Sequence, residues 1–470
     1  MTEDLCYQTV SELSGQIASG DLSPVELTRS YLERAEELDS KLASIITLLP
    51  ERAMADARAA EEEIQQGRIR GPLHGIPFGV KDLLDTKGIR TTWGSSIFAN
   101  RVPDRDSAVI EKLMGAGGVL MAKLTMAEFA GGSLRSNLVE HPHNPWKLDR
   151  TTSGSSSGSG AATAAALLGF SIGSETGGSI MGPSASCGVS GVRPTYGRVS
   201  RYGCMALAWS LDKLGPMARS AEDCGLVLDA IAGYDSRDPR SSKSVFRFRR
   251  DPGPMTGRKV GLVRHEFDLI PEANRAVFDR ALDVLEQAGV AFEDVELPDY
   301  PYSEVYNVTR NPEAGAFYKH LFNDKRIEGQ FDSARRADFL AGSMLPASDY
   351  VTAQRIRQMM VHSADELLAP YSAIIAPSRG RGAGLIDGQQ APPTPRPATT
   401  EPPRRGASMT RMVNLTGLPG ISIPCGFDGE EMPLGLHIAA RAWDEQAALD
   451  IAMAFQKETD FHRQRPGLRE

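Results

Sequence analysis

The chain has 470 residues, of which 41% are hydrophobic and 24% charged. That is enough apolar material for a large core, and it excludes a disordered or collagen-like protein. A net charge of −8 gives no basic field to recruit nucleic acid or an anionic membrane surface. The five cysteines (Cys6, Cys187, Cys204, Cys224 and Cys425) are scattered and form no CxxC pair, so neither a disulfide framework nor a zinc site is expected.

The N-terminus lacks the basic start and apolar run of a secretory signal, and no segment approaches the roughly 18 uncharged apolar residues of a membrane span. A cytoplasmic protein is expected. In chain order, Ser23-Pro24-Val25-Glu26 offers an N-cap, a proline at the first helical position and a capping-box glutamate. Leu27, Tyr31, Leu32, Ala35 and Leu38 then share one helical face. A second, charged helix is expected from Glu51 to Gln66. Ile76 to Val80 reads as a short buried strand ending at Lys81-Asp82, followed by a helix at Val109–Met114 and a strand at Gly118–Ala122. Residues 153–160, Ser-Gly-Ser-Ser-Ser-Gly-Ser-Gly, have the composition of a linker. The uncharged run Ala161–Leu168 that follows suits a buried helix, and Phe170–Ile172 a strand, so the loop between them is expected to be functional.

Further along, a helix is expected at Ala221–Ala232, a strand at Lys259–Val263, an amphipathic helix at Asn274–Gly289 and a strand at Ala291–Leu297. Residues 303–365 read as a mainly helical insertion able to cap a pocket, and 377–405 as a loop crowded with Pro, Gly and Thr. Strands at Leu418–Pro424 and Leu434–Ala439 and a helix at Asp444–Thr459 close the chain. The β-α-β rhythm predicts an α/β fold with a sheet flanked by helices.

Three features carry chemistry. Lys81 ends an apolar strand, where burial would lower its pKa and leave an amine able to take a proton. The Ser153–Gly160 loop supplies hydroxyls, and it lacks the GxxxxGK[ST] pattern of a phosphate cradle. Thr176-Gly177-Gly178-Ser179 can turn backbone N–H groups toward one point, as an oxyanion hole requires. Gly154 to Gly158 formally matches GxSxG around Ser156, but the polar Trp146–Thr152 before it cannot supply the buried strand of a nucleophile elbow. The eight histidines are scattered and none announces itself as a base. No HExxH motif is present, and no metal or cofactor is implied.

Together these segments resemble the amidase signature family. The matching text is Gly79-Val-Lys-Asp82, Ser153–Ser159, Ser174-Glu-Thr-Gly-Gly-Ser-Ile180 and Cys187–Ser200, with Leu211–Pro216, Asn414–Pro419 and Pro424–Gly426. The resemblance covers nearly the whole chain as one domain, 1–470, with residues 70–220 as its catalytic core. It implies one large mixed β-sheet covered on both faces by helices. It also implies Ser179 as nucleophile, Ser155 as a bridging serine behind a cis peptide after Gly154, and Lys81 as base. Thr176, Gly177 and Gly178 would hold the oxyanion, and Ala130 would line the acyl side of the pocket.

The family usually reads Asp-Thr-Gly-Gly-Ser-Ile-Arg, whereas Glu175 and Met181 flank the motif here and Ser153 and Ser157 replace common glycines. The usual carboxylate–arginine pairing around the nucleophile is therefore not expected. The implied activity is cofactor-free serine hydrolysis of a small-molecule amide, carbamate (urethane) or ester by a monomer or homodimer, with no nucleic acid and no membrane. A stand-alone amidase is favoured over the amidase subunit of a glutamine-dependent tRNA amidotransferase, because 303–365 lacks a tyrosine- and glycine-rich stretch.

Overall fold

The apolar runs settle into one sheet. The computed structural model describes residues 2–136, 138–322, 324, 333–386 and 408–468. Among these, the strands are β1 (Ile45–Leu48), β2 (Pro77–Lys81), β3 (Val119–Leu124), β4 (Phe170–Glu175), β5 (Ser190–Arg193), β6 (Lys213–Ala218), β7 (Lys259–Val263), β8 (Ala291–Val295), β9 (Ala373–Arg379), β10 (Gly420–Phe427) and β11 (Pro433–Ala439). They hydrogen-bond in the order β1-β3-β2-β4-β6-β5-β10-β11-β9-β7-β8. The sheet is mixed. β2 runs parallel to both β3 and β4, the middle from β4 to β9 is antiparallel, and β7 is parallel to β8 and β9.

Every residue of β2, β3, β4, β5, β6 and β11 is buried, which requires cover on both faces. Helices supply it: Pro24–Leu42 and Pro50–Gln65 lie over the β2 and β3 side, Ala221–Ile231 over β5 and β6, and Glu272–Gln287 and Glu445–Glu458 over β10. The first of these buries the expected stripe of Leu27, Tyr31, Leu32, Ala35 and Leu38. Its cap is simpler than the expected capping box: the Ser23 hydroxyl accepts the Val25 and Glu26 amides and donates to Glu61. β8 forms one rim of the sheet, with most of its side chains in solvent.

Two departures from the sequence reading bear on the site. The expected helix at Ala161–Leu168 spans Ser157–Ala164 instead. The Gly158 amide donates to Thr125 O at 2.9 Å, and a Cβ on Gly158 would stand 2.6 Å from Thr125 N. This close backbone contact draws the linker-like loop into the core. The second departure is four strands that the sequence pattern does not predict. In β5 and β6, Ser-Gly-Val-Arg and Lys-Leu-Gly-Pro-Met-Ala carry Gly, Pro and charge, all depleted in strands; β1 and β9 are the other two. Of the Pro- and Gly-rich loop at 377–405, residues 387–405 lie outside the described residues. The 303–365 stretch is helical at Tyr302–Phe322, Ser333–Ser343 and Ala347–Leu368.

Two residues before Lys81, Gly79 faces Leu168 and Leu124. A Cβ there would lie 2.6 Å and 2.9 Å from their side-chain methyls. Gly79→Ala is expected to cost about 1–3 kcal/mol of unfolding free energy through overpacking, read from a urea melt, with activity falling as β2 shifts. An unchanged midpoint would contradict this account of the strand.

Candidate active site

β2 and β4 are parallel neighbours, so their carboxyl ends meet on one edge of the sheet, where loops can converge. Lys81 is the last residue of β2, and Ser174 and Glu175 are the last two of β4. Ser155 and Ser156 stand just before the helix Ser157–Ala164. This topology brings four side chains together. Lys81 Nζ is fully buried and lies 2.6 Å from Ser155 Oγ, 2.8 Å from Ser174 Oγ and 3.0 Å from Ser156 Oγ.

All three partners are uncharged hydroxyls. Burial therefore dominates and pulls the Lys81 pKa down to about 7, against weaker opposition from Cys204, Asp212 and Glu175. Lys123, on the neighbouring strand, is equally buried but has Asp82 Oδ1 at 3.4 Å, together with the Leu84 carbonyl and two threonine hydroxyls. Of these two lysines one has a counter-ion and the other a hydroxyl cage; a third buried lysine, Lys213 at the start of β6, has no hydrogen-bond partner among the described residues, and burial lowers its pKa to about 7 as well. A neutral amine has two N–H groups and one lone pair, so Lys81 can donate to two of its hydroxyls and accept from the third.

The Gly154–Ser155 peptide is cis, and the Ser155 carbonyl accepts the Ala127 amide at 3.2 Å. Just beyond Ala127, Phe129 and Ala130 both take the left-handed conformation, with φ of 49° and 57°, a costly geometry for side-chain-bearing residues that the surrounding structure must enforce.

Ser179 ends the Thr176–Gly178 turn. Gly177, Gly178 and Ser179 are half-buried where the residues on either side are buried, so the turn opens outward. Gly178 has φ of 131°, a region that favours glycine. Among the described residues, no hydrogen bond joins Ser179 to Ser155, and no imidazole bonds either hydroxyl. His437, fully buried, accepts from Arg193 at 3.3 Å, and burial together with that guanidinium holds its pKa at about 3.

The turn is braced from behind by Glu175. Its Oε2 accepts the Ile180 and Met181 amides at 2.8 and 3.0 Å, and its Oε1 accepts Arg193 Nη1 at 3.0 Å and Asn414 Nδ2 at 2.8 Å. Burial alone would raise its pKa, but Arg193, the Met181 amide, Lys213 and Asn414 hold it at about 2. The usual pairing with residue 181 is absent, as expected, but a carboxylate–arginine pair forms by another route. Met181 supplies no charge, but Glu175 reaches Arg193, on β5. The Thr176 hydroxyl donates to Asp212 at 2.6 Å, and Ala130, Ser174, Thr176, Cys204 and Asp212 line a cavity of about 210 Å³ that reaches the surface beside the half-exposed Trp209.

Lys81 and Ser155 thus lie in contact, and Ser179, Thr176, Gly177 and Gly178 form the adjoining turn. The contacts of Ser156, Ser174, Arg193 and Asp212 are not predictable from the sequence. Ser156 and Ser174 stand inside the matching motifs, but nothing in their spacing distinguishes them from packing serines. Among the described residues, no cluster of His, Cys, Asp and Glu could hold a metal, and no helix is long and apolar enough to cross a membrane.

With this geometry in view, comparisons with known proteins decide the family. The model of the amidase family matches residues 26–449. The chain belongs to the amidase family. It is accordingly an enzyme of carbon–nitrogen bond hydrolysis. It is 36% identical over 499 residues to a glutamyl-tRNA(Gln) amidotransferase subunit from Carboxydothermus hydrogenoformans, covering 99% of this chain and 100% of that one. Among solved structures it resembles, at TM-score 0.86 and 30% identity over 96% of this chain and 98% of the other, a protein described under "An unexpected vestigial protein complex reveals the evolutionary origins of an s-triazine catabolic enzyme". It also resembles the native peptide amidase of Stenotrophomonas maltophilia, at TM-score 0.83 and 27% identity over 98% and 99% of the two chains.

Removing the carboxylate of Glu175 by Glu175→Ala strands a buried guanidinium and frees two amides behind Ser179. Urea denaturation should show a loss of about 3–5 kcal/mol, and residual folded protein should turn over substrate poorly. A loss below about 1 kcal/mol would mean the brace carries little.

Proposed function

We propose that this amidase cleaves a carbon–nitrogen acyl bond through an acyl-enzyme on Ser179, with Ser155 and Lys81 as its proton relay. The observation that carries the reading is the buried Lys81 amine, with pKa about 7, 2.6 Å from Ser155 Oγ. Ser179 Oγ attacks the carbonyl carbon as its proton passes to Ser155 and the Ser155 proton passes to Lys81 Nζ. The oxyanion that forms is met by backbone N–H groups of Thr176, Gly177, Gly178 and Ser179. Lys81 then returns the proton through Ser155 to the leaving nitrogen, and the C–N bond breaks. Water repeats the sequence, releasing the acid and restoring Ser179. The Ser155–Ser179 contact needed for this tightens on substrate binding, as catalytic hydrogen bonds commonly do. Ala130 would line the acyl side. Helices of the 303–365 stretch would cap the pocket. Esters and carbamates are chemically open to the same route.

A second reading concerns company. The sequence favours a stand-alone enzyme, but glutamyl-tRNA(Gln) amidotransferase subunits match this chain end to end at 36–37% identity. That favours the same chemistry performed within an amidotransferase complex, with a partner chain using the released nitrogen. The purified chain alone, assayed on aryl amides and then with co-expressed neighbours, separates the two: activity without partners supports the stand-alone enzyme, and activity only with them the complex.

Three further outcomes are expected. Ser179→Ala should abolish turnover of an aryl amide, and full retention would remove Ser179 as nucleophile. Lys81→Ala should suppress amides more than esters, since esters need less leaving-group protonation, and equal losses would count against the relay. Because the ammonium form of Lys81 cannot accept a proton, kcat/KM should climb as pH rises through about 7 and level off above it. A flat profile between pH 5 and 9 would refute a titrating amine.

A further inference from the structure

The acyl-enzyme reading leaves the substrate unnamed, and two side chains over the reactive turn narrow it. Tyr306, from the helix Tyr302–Phe322, and Arg411, from the helix Met409–Thr416, converge on Gly177. A methyl group on Gly177 would collide with Tyr306 Oη and stand 2.8 Å from Arg411 Nη1. The Arg411 guanidinium lies 4.0 Å from the centre of the Tyr306 ring, which holds it in place. Gly177 and Ser179 are two residues apart, so their Cα atoms are within about 7 Å.

Both groups are donors without an acceptor. Among the described residues, neither the Tyr306 hydroxyl nor the Arg411 guanidinium has a hydrogen-bond or ion-pair partner, although Tyr306 is only 5% exposed and Arg411 is half-buried. Neighbouring cations are committed. Arg193 is bound to Glu175, Arg310 has Asp338 at 3.5 Å, and Arg357 donates to the Ser210 and Leu415 carbonyls. Glu266, the carboxylate beside the Arg411 helix, accepts the Met409 amide. A guanidinium and a phenol aimed at one spot, with no anion between them among the described residues, form the donor pair that a carboxylate takes up.

We propose that Arg411 and Tyr306 bind a carboxylate on the substrate, so that the preferred substrates are amides carrying an anionic group a short chain away from the scissile carbonyl. This rests on the acyl-enzyme reading for its chemistry, and on the unpartnered donors for its charge.

The test compares two anilides with the same leaving group, succinanilic acid and the uncharged butyranilide. Wild-type enzyme should favour the acid by about tenfold or more in kcat/KM, and Arg411→Gln should erase that preference. Tyr306→Phe, which keeps the ring under Arg411, should reduce it. Equal rates for the two anilides with wild type, or an equal fall for both in Arg411→Gln, overturns the proposal. A binding measurement stands apart from turnover. Glutarate titrated by calorimetry into Ser179→Ala should bind, and the added Arg411→Gln should abolish binding; the same heat in both proteins, or none in Ser179→Ala, overturns the anion site. If neither anilide is cleaved by the chain alone or with its co-expressed neighbours, the acyl-enzyme reading falls, and the glutarate titration still decides the carboxylate site.

Discussion

A lysine amine held in the interior without a counter-ion is the constraint around which this molecule is arranged. Taking an ammonium out of water is costly unless a carboxylate compensates, and at Lys81 the neighbours are three serine hydroxyls. The neutral amine is the form this cage accommodates at low cost. Lys123 shows the alternative on the adjacent strand, with Asp82 at 3.4 Å. Burial lowers the pKa of both lysines, but Asp82 opposes it beside Lys123, whereas only hydroxyls hydrogen-bond Lys81.

The sheet makes that arrangement possible. Parallel β2 and β4 end together, so a lysine on one and a serine on the other meet without any long loop. The helix that starts in the Ser/Gly run packs its backbone directly on Thr125, which leaves Ser155 and Ser156 no freedom to drift from the amine. On the far side of β4, Glu175 and Arg193 lock the turn that bears Ser179. The hydroxyl cage and the anionic brace are separated along one strand by a single residue step, Ser174 to Glu175. In a strand that step turns the side chain to the opposite face, which keeps the carboxylate away from the amine.

Legibility in the sequence follows the periodicity. The amphipathic helix Pro24–Leu42 and the apolar strands β2, β3, β10 and β11 announce themselves, because their burial follows simple patterns. β5 and β6 do not, since Arg193 and Lys213 look like surface residues until their surroundings are seen. The Ser/Gly run has the composition of a linker, and only its close backbone packing reveals why small residues are needed. Motif resemblance names Lys81, Ser155 and Ser179, but the spacing of residues says nothing of Ser174, Asp212 or the substitution of Arg193 for an arginine at position 181. Those depend on which strands become neighbours, and chain-local patterns carry no such information. Tyr306 and Arg411 are further still from the motifs in sequence and meet over Gly177 only through tertiary packing.

The outer strand β8 has a consequence for how copies of this molecule meet. An open rim of unpaired backbone amides is a template for another strand. Here the rim bears Glu293 and Asp294, neutralised in part by Lys259 and Arg264 from the strand behind and the residue after it. Two such rims brought together would have to crowd and desolvate these charged side chains before any new ladder could form. The enzyme therefore carries, in two side chains far from its chemistry, a deterrent to polymerising through the end of its own sheet.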